Sequence, residues 1–403
     1  MKRFLIVGPN GGASFGQGGG SYVAVKMTEV LSSLPGSNVG LVSLWGTDIG
    51  TLAQSFGVSL PYSRVNSLFL LNSEARREPA IGMLGTPYIA TILTSVLRVI
   101  QRAVERFKPD LIIFNDDSPN LGGKFQDTEM KSLLYAHFPY ACRMKYAAQR
   151  SETSSRLKRA SELAVMPLMK RFFETEQISV DWLAANSTVT SRYMHGTFHR
   201  SDITTIFPPV DPFPLKGDSK SNFVVSLGAI QPNKRHQQVV EAMKRVRPSC
   251  KCFIIGHLRD IACFRNLVRY VKQNGLQDRV RIIPDAPKRM LLQILEKTKV
   301  IVHPSQFEPF GISVVEGMSA GAVPVVYAGE NSGPWIDVVS RGKFGRGYTK
   351  TEDLTNEIED LLTDESSWRR EAERARARSN SFSTQAFSRS FLGLIGQTEK
   401  GAA

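Results

Sequence analysis

Cysteine is scarce in this chain. The four present, Cys142, Cys250, Cys252 and Cys263, are too few and too clustered for a disulfide framework. Cys250 and Cys252 alternate in a run that reads as a buried strand, where cysteine behaves as a small apolar residue. No second ligand pair stands at zinc spacing, so a reducing cytoplasm is the simplest setting. Long apolar runs are also missing: nothing approaches the roughly 18 residues needed to span a bilayer. The opening MKRFLIVGPN holds one short apolar run, too brief for a signal-peptide core, and reads as a first buried strand. Any membrane contact is therefore expected to be peripheral. No repeat of solenoid period is visible, nor a GxGxxG or Walker sequence, nor an Asp-x-Asp metal motif at a strand end.

What is present is a chain of 403 residues, 42% hydrophobic and 22% charged, long enough for two domains with ordinary cores. Its formal net charge of +14 favours acidic partners: nucleotide phosphates, nucleic acid or an anionic lipid surface. The tract from Arg369 to Arg378 is the strongest nucleic-acid signal. Arg370, Arg374 and Arg378 share one face at helical spacing among Glu371 and Glu373, which reads first as a solvated helix face. A polyanion or membrane contact is the alternative.

Short apolar runs alternate with longer amphipathic stretches, the pattern of a parallel α/β protein. Strands are expected at Phe4–Val7, Val39–Leu44, Leu111–Phe114, Leu133–Ala136, Leu183–Ala185 and Thr204–Phe207. A helix is expected over Thr86–Phe107, apolar at first and then basic, packing on a core. The proline-rich stretch Pro208–Asn222 has almost no periodicity and reads as an interdomain linker. A second series follows, with strands at Phe223–Leu227, Cys252–Ile255, Val280–Ile283, Val300–His303 and Val323–Tyr327, and helices at His236–Val246 and Pro287–Lys297. The expected division is residues 1–207, a linker at 208–222, a second domain at 223–383 and a C-terminal helix at 384–403. Both domains would be Rossmann-like and doubly wound, with ligands outside the carboxyl ends of their strands.

The stretch His303–Val326, HPSQFEPFGISVVEGMSAGAVPVV, reads as strand, loop, helix and strand. Gly311 frees the backbone where the helix opens, and the free N–H groups of a first turn form an anion site. Glu308 precedes that turn and Glu316 lies eight residues later, about the same face of a helix. Two carboxylates flanking a phosphate site suit a polyhydroxylated partner such as a sugar nucleotide; otherwise they are solvated glutamates on a capped helix. In Ser226–His236, SLGAIQPNKRH, a strand ends at Gly228 and Lys234 follows a short loop, placed to neutralise charge on a leaving diphosphate or merely exposed. The glycine-rich Gly8–Val25 is by itself a weak phosphate signal. His137 closes LLYAHFPY just beyond a strand end, where a side chain meets the ligand crevice. The other histidines, His195, His199, His236, His257 and His303, are read as structural.

Taken together, these stretches resemble glycosyltransferase family 4, strongly over residues 223–350 and in patches over 1–207. The resemblance rests on Glu-x7-Glu with its flanking Pro-Ser, Pro-Phe-Gly and Pro-Val-Val, joined by ANSTVTSRYM, IFPPVDPF and IIPDAP. It implies the GT-B architecture, an acceptor-binding first domain, a donor-binding second domain and a C-terminal helix that returns to the first. Glu308 would then contact hydroxyls of the transferred sugar and Glu316 the ribose. Phe310, Gly311 and Ile312 would offer backbone N–H groups to sugar and diphosphate. Lys234, with Arg235, would face the diphosphate, Gly19 and Gly20 would approach it by their backbone, and His137 would meet the donor sugar. Asp285 and Ala286 are candidate base contacts. Where the family usually carries arginine after Gly228, this chain has Ala229. NSGPWIDVV, residues 331–339, resembles an element of mannosyltransferases that extend lipid-linked oligosaccharides, although Gly333–Pro334 also suits an ordinary helix start.

The function these features imply is a retaining, front-face hexosyl transfer without metal or other cofactor. GDP-mannose is the first choice of donor, and the acceptor is a glycan or lipid-linked. The expected setting is cytoplasmic, at most peripheral to a membrane. A UDP-sugar-dependent glucosyl- or N-acetylglucosaminyltransferase of the same fold, a nucleotide-sugar epimerase and a non-enzymatic polyanion-binding protein are the alternatives; nucleic acid is the least favoured partner.

Overall fold

The structure, a computed structural model, describes residues 2–8, 14–15, 18–46, 49–72, 86–117, 129–145, 167, 172, 178–215, 217 and 219–396. Contacts divide the chain into two compact units, Met1–Ile206 and Phe207–Ala403.

In the first unit the strands are β1 (Lys2–Val7), β2 (Ser14–Phe15), β3 (Ser37–Gly46), β4 (Val65–Asn72), β5 (Leu111–Asn115), β6 (Lys131–Ala136), β7 (Trp182–Ala185) and β8 (Ile203–Thr205). Their order is β2-β3-β1-β5-β6-β7-β8, with β4 also on β3 and every pairing parallel. The winding reverses between β1 and β5, so a crevice opens where the carboxyl ends of these neighbours diverge. Five of the expected strands lie within observed ones. The sixth ends at Thr205, short of Phe207. β2 and β4 were not expected. In β4, VNSLFLLN, Asn66 and Ser67 interrupt the apolar run, and pairing with β3 makes it a strand.

The helix Thr86–Phe107 has its expected bounds. Val96, Ile100 and Ala103 recur at helical spacing and are buried, while Arg98, Arg102 and Arg106 are exposed. Over its described side chains this is a core-packing helix.

The second unit carries β9 (Ser221–Leu227), β10 (Lys251–Gly256), β11 (Val280–Pro284), β12 (Thr298–His303), β13 (Val323–Tyr327) and β14 (Arg346–Tyr348), in the order β11-β10-β9-β12-β13-β14 and all parallel. Both faces are covered. Val224, Cys252, Ile254, Val300 and Val302 enter one core cluster and Val225, Leu227, Phe253, Ile255 and Ile301 the other. A sheet buried on both faces takes apolar residues at most positions, which is why its strands read as near-continuous apolar runs, interrupted in β9 by the buried Ser226. Each such apolar side chain contributes roughly 1.5–3 kcal/mol. The helices observed at His236–Met243 and Lys288–Glu296 are slightly shorter than expected.

The proline-rich segment is not a free tether, because it lies on the second unit. Phe207 stacks on Phe310 and meets Phe382 edge-on, the Val210 N–H donates to the Phe382 carbonyl at 2.7 Å, and the Phe213 N–H donates to Ser319 Oγ at 2.6 Å. The arginine-rich tract forms the helix Glu365–Ser379, but Arg370, Arg374 and Arg378 do not share one solvated face. Arg378 is half-buried, packs over Phe344 and Phe382, and donates to the carbonyl of Asp337 at 2.8 Å. The helix Thr384–Gly396 follows. Among the described residues no helix is long and apolar enough to cross a membrane.

Candidate active site

β9 and β12 are neighbours at the point where the second sheet reverses its winding, and the loops leaving their carboxyl ends carry the chemistry. Lys234 ends a short 3-10 turn after β9 and Glu308 lies in the loop after β12; they form an ion pair through Glu308 Oε2. His303, the last residue of β12, places Nε2 3.1 Å from the same oxygen. The group is largely withdrawn from water, with side-chain exposures of 20% for Lys234, 15% for Glu308 and 3% for His303. Burial alone would raise the Glu308 pKa, but the Lys234 ammonium and the His303 hydrogen bond outweigh it and hold the carboxyl well below its usual range. Glu308 is thus an anion with Oε2 occupied, while Oε1 accepts no hydrogen bond among the described residues. Ser305 Oγ, 3.2 Å from the Asn233 carbonyl, ties the two loops together. His303, read as structural, thus contacts the Glu308 carboxylate directly and helps position it. Its place at the last position of β12 was the signal, much as the position just beyond β6 was for His137.

The loop that carries Glu308 is clamped from residues 331–334. The Glu308 N–H donates to the Asn331 carbonyl at 3.1 Å, and the Gly333 N–H donates to the Glu308 carbonyl at 2.7 Å. A Cβ on Gly333 would stand 1.8 Å from the Pro309 carbonyl oxygen. Gly311 has φ +90°, and a Cβ there would meet Pro334 Cγ at 2.6 Å, so both its conformation and its surroundings exclude a side chain. Pro334–Val338 then forms one π-helical turn. NSGPWIDVV thus does more than start a helix, since it fixes the Glu308 backbone.

The following helix begins only at Ile312, so Glu308 precedes it, and helical periodicity does not relate Glu308 to Glu316 as the spacing had suggested. The N–H groups of Phe310 and Gly311 donate to no backbone acceptor among the described residues, which leaves them beside the first helical turn as anion donors. Glu316 lies within the helix, and its carboxyl makes no hydrogen bond or ion pair among the described residues. Burial pushes it up to about 7, against a smaller opposing effect of Lys288.

The loop after β9 is held by His236, another histidine read as structural. Its Nε2 faces the carbonyls of Gly228 and Ala229 at 3.2 and 3.3 Å, so this nitrogen carries the proton and Nδ1 accepts from Ser226 Oγ at 3.0 Å. Burial lowers its pKa to about 4, consistent with a neutral ring. Gly256 makes room for this loop, as a Cβ there would stand 1.8 Å from the Gly228 carbonyl oxygen. Arg235 adopts a left-handed conformation as the N-cap of His236–Met243, and its charge acts on the Tyr348 phenol. After β11, Asp285 accepts from His257 Nδ1 at 3.0 Å on the exposed surface, and Ala286 packs against the core cluster.

The first unit has its own polar group at its switch point. Asn115 ends β5 and His137 follows β6. Asn115 Nδ2 donates to the Gly20 carbonyl at 2.9 Å, which fixes the amide orientation; Oδ1 then faces His137 Nε2 at 2.9 Å and must accept. Burial lowers the His137 pKa most strongly, so the ring is neutral, protonated on Nε2, with Nδ1 left as an acceptor. Asp116, at φ +95°, takes the N–H groups of His137 and Phe138 at 2.9 and 2.7 Å and pairs with Arg143 at 2.7 Å. Burial would raise its pKa, but Arg143 and His137 prevail and lower it. Burial and the Asp116 charge push the neighbouring Asp117 up to about 7. Gly19 and Gly20 open the helix Gly19–Ser32, with Gly18 as N-cap, and so lie inside the first turn and not ahead of it. Much of the glycine-rich run before them lies outside the described residues. Sequence reasoning missed Asn115, Asp116, Asp117 and Arg143. The signal was Asn-Asp-Asp directly after the buried run LIIF.

Residues 209–379 match the family described as Glycosyl transferases group 1. The GDP-Man:Man(3)GlcNAc(2)-PP-Dol alpha-1,2-mannosyltransferase of Dictyostelium discoideum is 24% identical over 274 residues, which are 61% of this chain and 53% of that protein. The enzyme of the same name from Caenorhabditis elegans is 24% identical over 319 residues, 71% of this chain and 66% of that one. The chain thus spans between about half and two thirds of the length of these curated relatives. Among solved structures, Anabaena HepE in complex with UDP and glucose superposes with a TM-score of 0.69 at 17% identity, covering 98% of this chain and 100% of the other. Residues 209–379 are thus similar to the glycosyl transferases group 1 family, and the chain has the GT-B fold of two Rossmann-like domains.

Proposed function

We propose that the protein is a retaining glycosyltransferase that moves a hexose, mannose from GDP-mannose in the first instance, onto a glycan or lipid-linked acceptor without a metal ion. The observation that carries this reading is the Lys234–Glu308–His303 group beside the free N–H groups of Phe310 and Gly311, at the switch point of the domain that matches the family. The donor diphosphate is held by Lys234, with Arg235, and by those N–H groups. Glu308 Oε1 accepts from hydroxyls of the transferred sugar and Glu316 from the ribose. Asp285 and Ala286 line the base, Gly19 and Gly20 approach the diphosphate, and His137 Nδ1 accepts from a sugar hydroxyl. In the front-face reaction the bond from the anomeric carbon to the phosphate oxygen breaks as the bond to the acceptor oxygen forms. The leaving oxygen takes the acceptor proton, and Lys234 balances its charge.

Mannose is favoured because two relatives are named GDP-mannose-dependent mannosyltransferases. A UDP-sugar is the second choice, since HepE was solved with UDP and glucose. The acceptor is proposed to be met at the cytoplasmic face of a membrane, with the exposed Arg98, Arg102 and Arg106 of the first unit contributing to a reversible contact. A donor panel read by hydrolysis and transfer tests the core of this: GDP-mannose, UDP-glucose, UDP-N-acetylglucosamine and UDP-galactose. Turnover of GDP-mannose alone supports it, turnover of a UDP-sugar alone moves the donor assignment, and binding of a duplex oligonucleotide without any turnover overturns the enzymatic reading.

A further inference from the structure

The second unit carries a cavity of about 620 Å³ between the helix Glu365–Ser379 and the segment around β14. No residue assigned above to the donor site lines it. Its wall includes Lys343, Arg346, Glu357, Arg370, Glu371 and Arg374. Elsewhere on this unit some cations, such as Arg279 and Arg378, donate to backbone carbonyls, while others are matched to carboxylates: Arg341 to Glu330, Arg247 to Glu359, Arg369 to Glu365 and Lys299 to Glu365. Within the cavity Arg346 follows the second pattern, held by Glu371 at 2.6 Å and Glu357 at 3.0 Å.

The other three cations do not. Arg370 makes a 3.4 Å contact with Ser366 Oγ and acts on the Asp364 carboxylate through charge without an ion-pair contact, Arg374 donates to the Lys343 carbonyl at 2.6 Å, and the Lys343 ammonium lies 5.3 Å from the Phe344 ring centre. None of the three pairs with a carboxylate among the described residues. Arg346, Glu357 and Glu371 together leave one negative charge, so the lining as a whole is doubly positive at neutral pH. Arg370 and Arg374 stand four residues apart on one helix, spaced to reach a single multidentate anion, and guanidinium groups present parallel N–H donors to phosphate oxygens.

We infer that this cavity is a second anion site, separate from the donor site, that takes a phosphate-bearing ligand through Arg370, Arg374 and Lys343. Arg346 and its two glutamates form its rigid floor. The ligand chemistry is a phosphate monoester or diphosphate, carried either by a free soluble molecule or by a lipid headgroup. The inference does not depend on the transferase reading, since it concerns a different face of the second unit.

The test uses the full chain and three variants: Arg370→Gln, Arg374→Gln and the double change. Pyrophosphate binding is measured calorimetrically at low and high salt, and co-flotation is measured with phosphatidylglycerol and with phosphatidylcholine vesicles. Donor hydrolysis is followed in parallel, because the donor site also takes diphosphate. The expected result is that one class of pyrophosphate sites weakens about tenfold with each arginine removed and is lost at high salt, while donor hydrolysis is unchanged. Accompanying loss of flotation with phosphatidylglycerol identifies the lipid source, and unchanged flotation identifies the soluble one. Arg370→Gln keeps the test decisive if Arg374→Gln loosens the segment near Lys343, because Arg370 makes no hydrogen bond outside its own helix and acts on Asp364 only through its charge. Identical pyrophosphate binding by wild type and Arg370→Gln, with identical flotation, overturns the site.

Discussion

The two sheets end in polar groups built on opposite principles. At the switch point of the second, Lys234 and Glu308 form an ion pair that offsets burial, His303 hydrogen-bonds the same carboxylate oxygen, and Glu308 stays ionised with its other oxygen open. At the switch point of the first, the charge is kept one step back. Asp116 and Arg143 neutralise each other behind a histidine that burial keeps uncharged, and Asn115 dictates which nitrogen bears its proton. The contrast teaches what each group suits. A balanced set of full charges can respond when a diphosphate leaves, whereas a neutral acceptor of fixed tautomer can read a hydroxyl without attracting the phosphates.

The strongest way to break this comparison is Glu308→Ala. It is expected to lower transfer by about 10²–10³, the usual cost of removing a group aimed at charge that develops in the transition state. Circular dichroism should show the fold retained, since the Asn331 and Gly333 hydrogen bonds to residue 308 are made by its backbone. Near-normal turnover would remove Glu308 from the chemistry.

His137→Ala should cost about tenfold in kcat/KM, the value of roughly one neutral hydrogen bond. Asn115→Ala should cost somewhat less and act mainly on kcat, because the ring is still present but its tautomer is released. If Asn115→Ala left kinetics untouched while His137→Ala did not, the chain from Gly20 through Asn115 to His137 would have no functional meaning.

A smaller and graded effect concerns Glu316. Its carboxyl, raised to about 7, is protonated in the free protein below that pH, whereas ribose hydroxyls bind best to the ionised form. The KM for donor should therefore rise as pH falls through 7, by up to about tenfold per unit, and Glu316→Gln should flatten the profile and weaken donor binding with little change in kcat. The stability link has the opposite sign. A folded pKa above the ordinary glutamate value means that this group's contribution is fully present below about 4.5 and is lost as pH rises through 7. Thermal melts of wild type and Glu316→Gln across this range should converge on the acid side. A pH-independent KM would show that the ribose does not rest on Glu316.

The smallest expected effect is that of a chelator. Activity in excess EDTA should equal that without it, because the proposed diphosphate contacts are cations and backbone N–H groups. Loss of activity restored by manganese or magnesium would replace the charged set by a metal in the comparison.

Much of this was determined by the sequence itself. The near-continuous apolar runs of β9, β10, β12 and β13 announced a parallel sheet buried on both faces, since such a sheet has no solvated side to impose alternation. Glu308, Glu316, Lys234 and Gly311 were legible because loop and helix start lie within a few residues of one another. Tertiary structure alone decided the rest. His303 and His236 became parts of the site through partners across strands and loops, at Glu308 and at the carbonyls of Gly228 and Ala229. Asn115 and Asp116 gained their roles from β6, the neighbouring strand, more than twenty residues on. The proline-rich segment was unreadable for a related reason: without periodicity it looked like a tether, but the Val210 and Phe213 N–H groups found acceptors in the Phe382 carbonyl and Ser319 Oγ. Hydrophobic period reports which face of an element is buried; it carries no record of which distant atom a polar side chain will meet, because that is fixed only when strands take their order in the sheet.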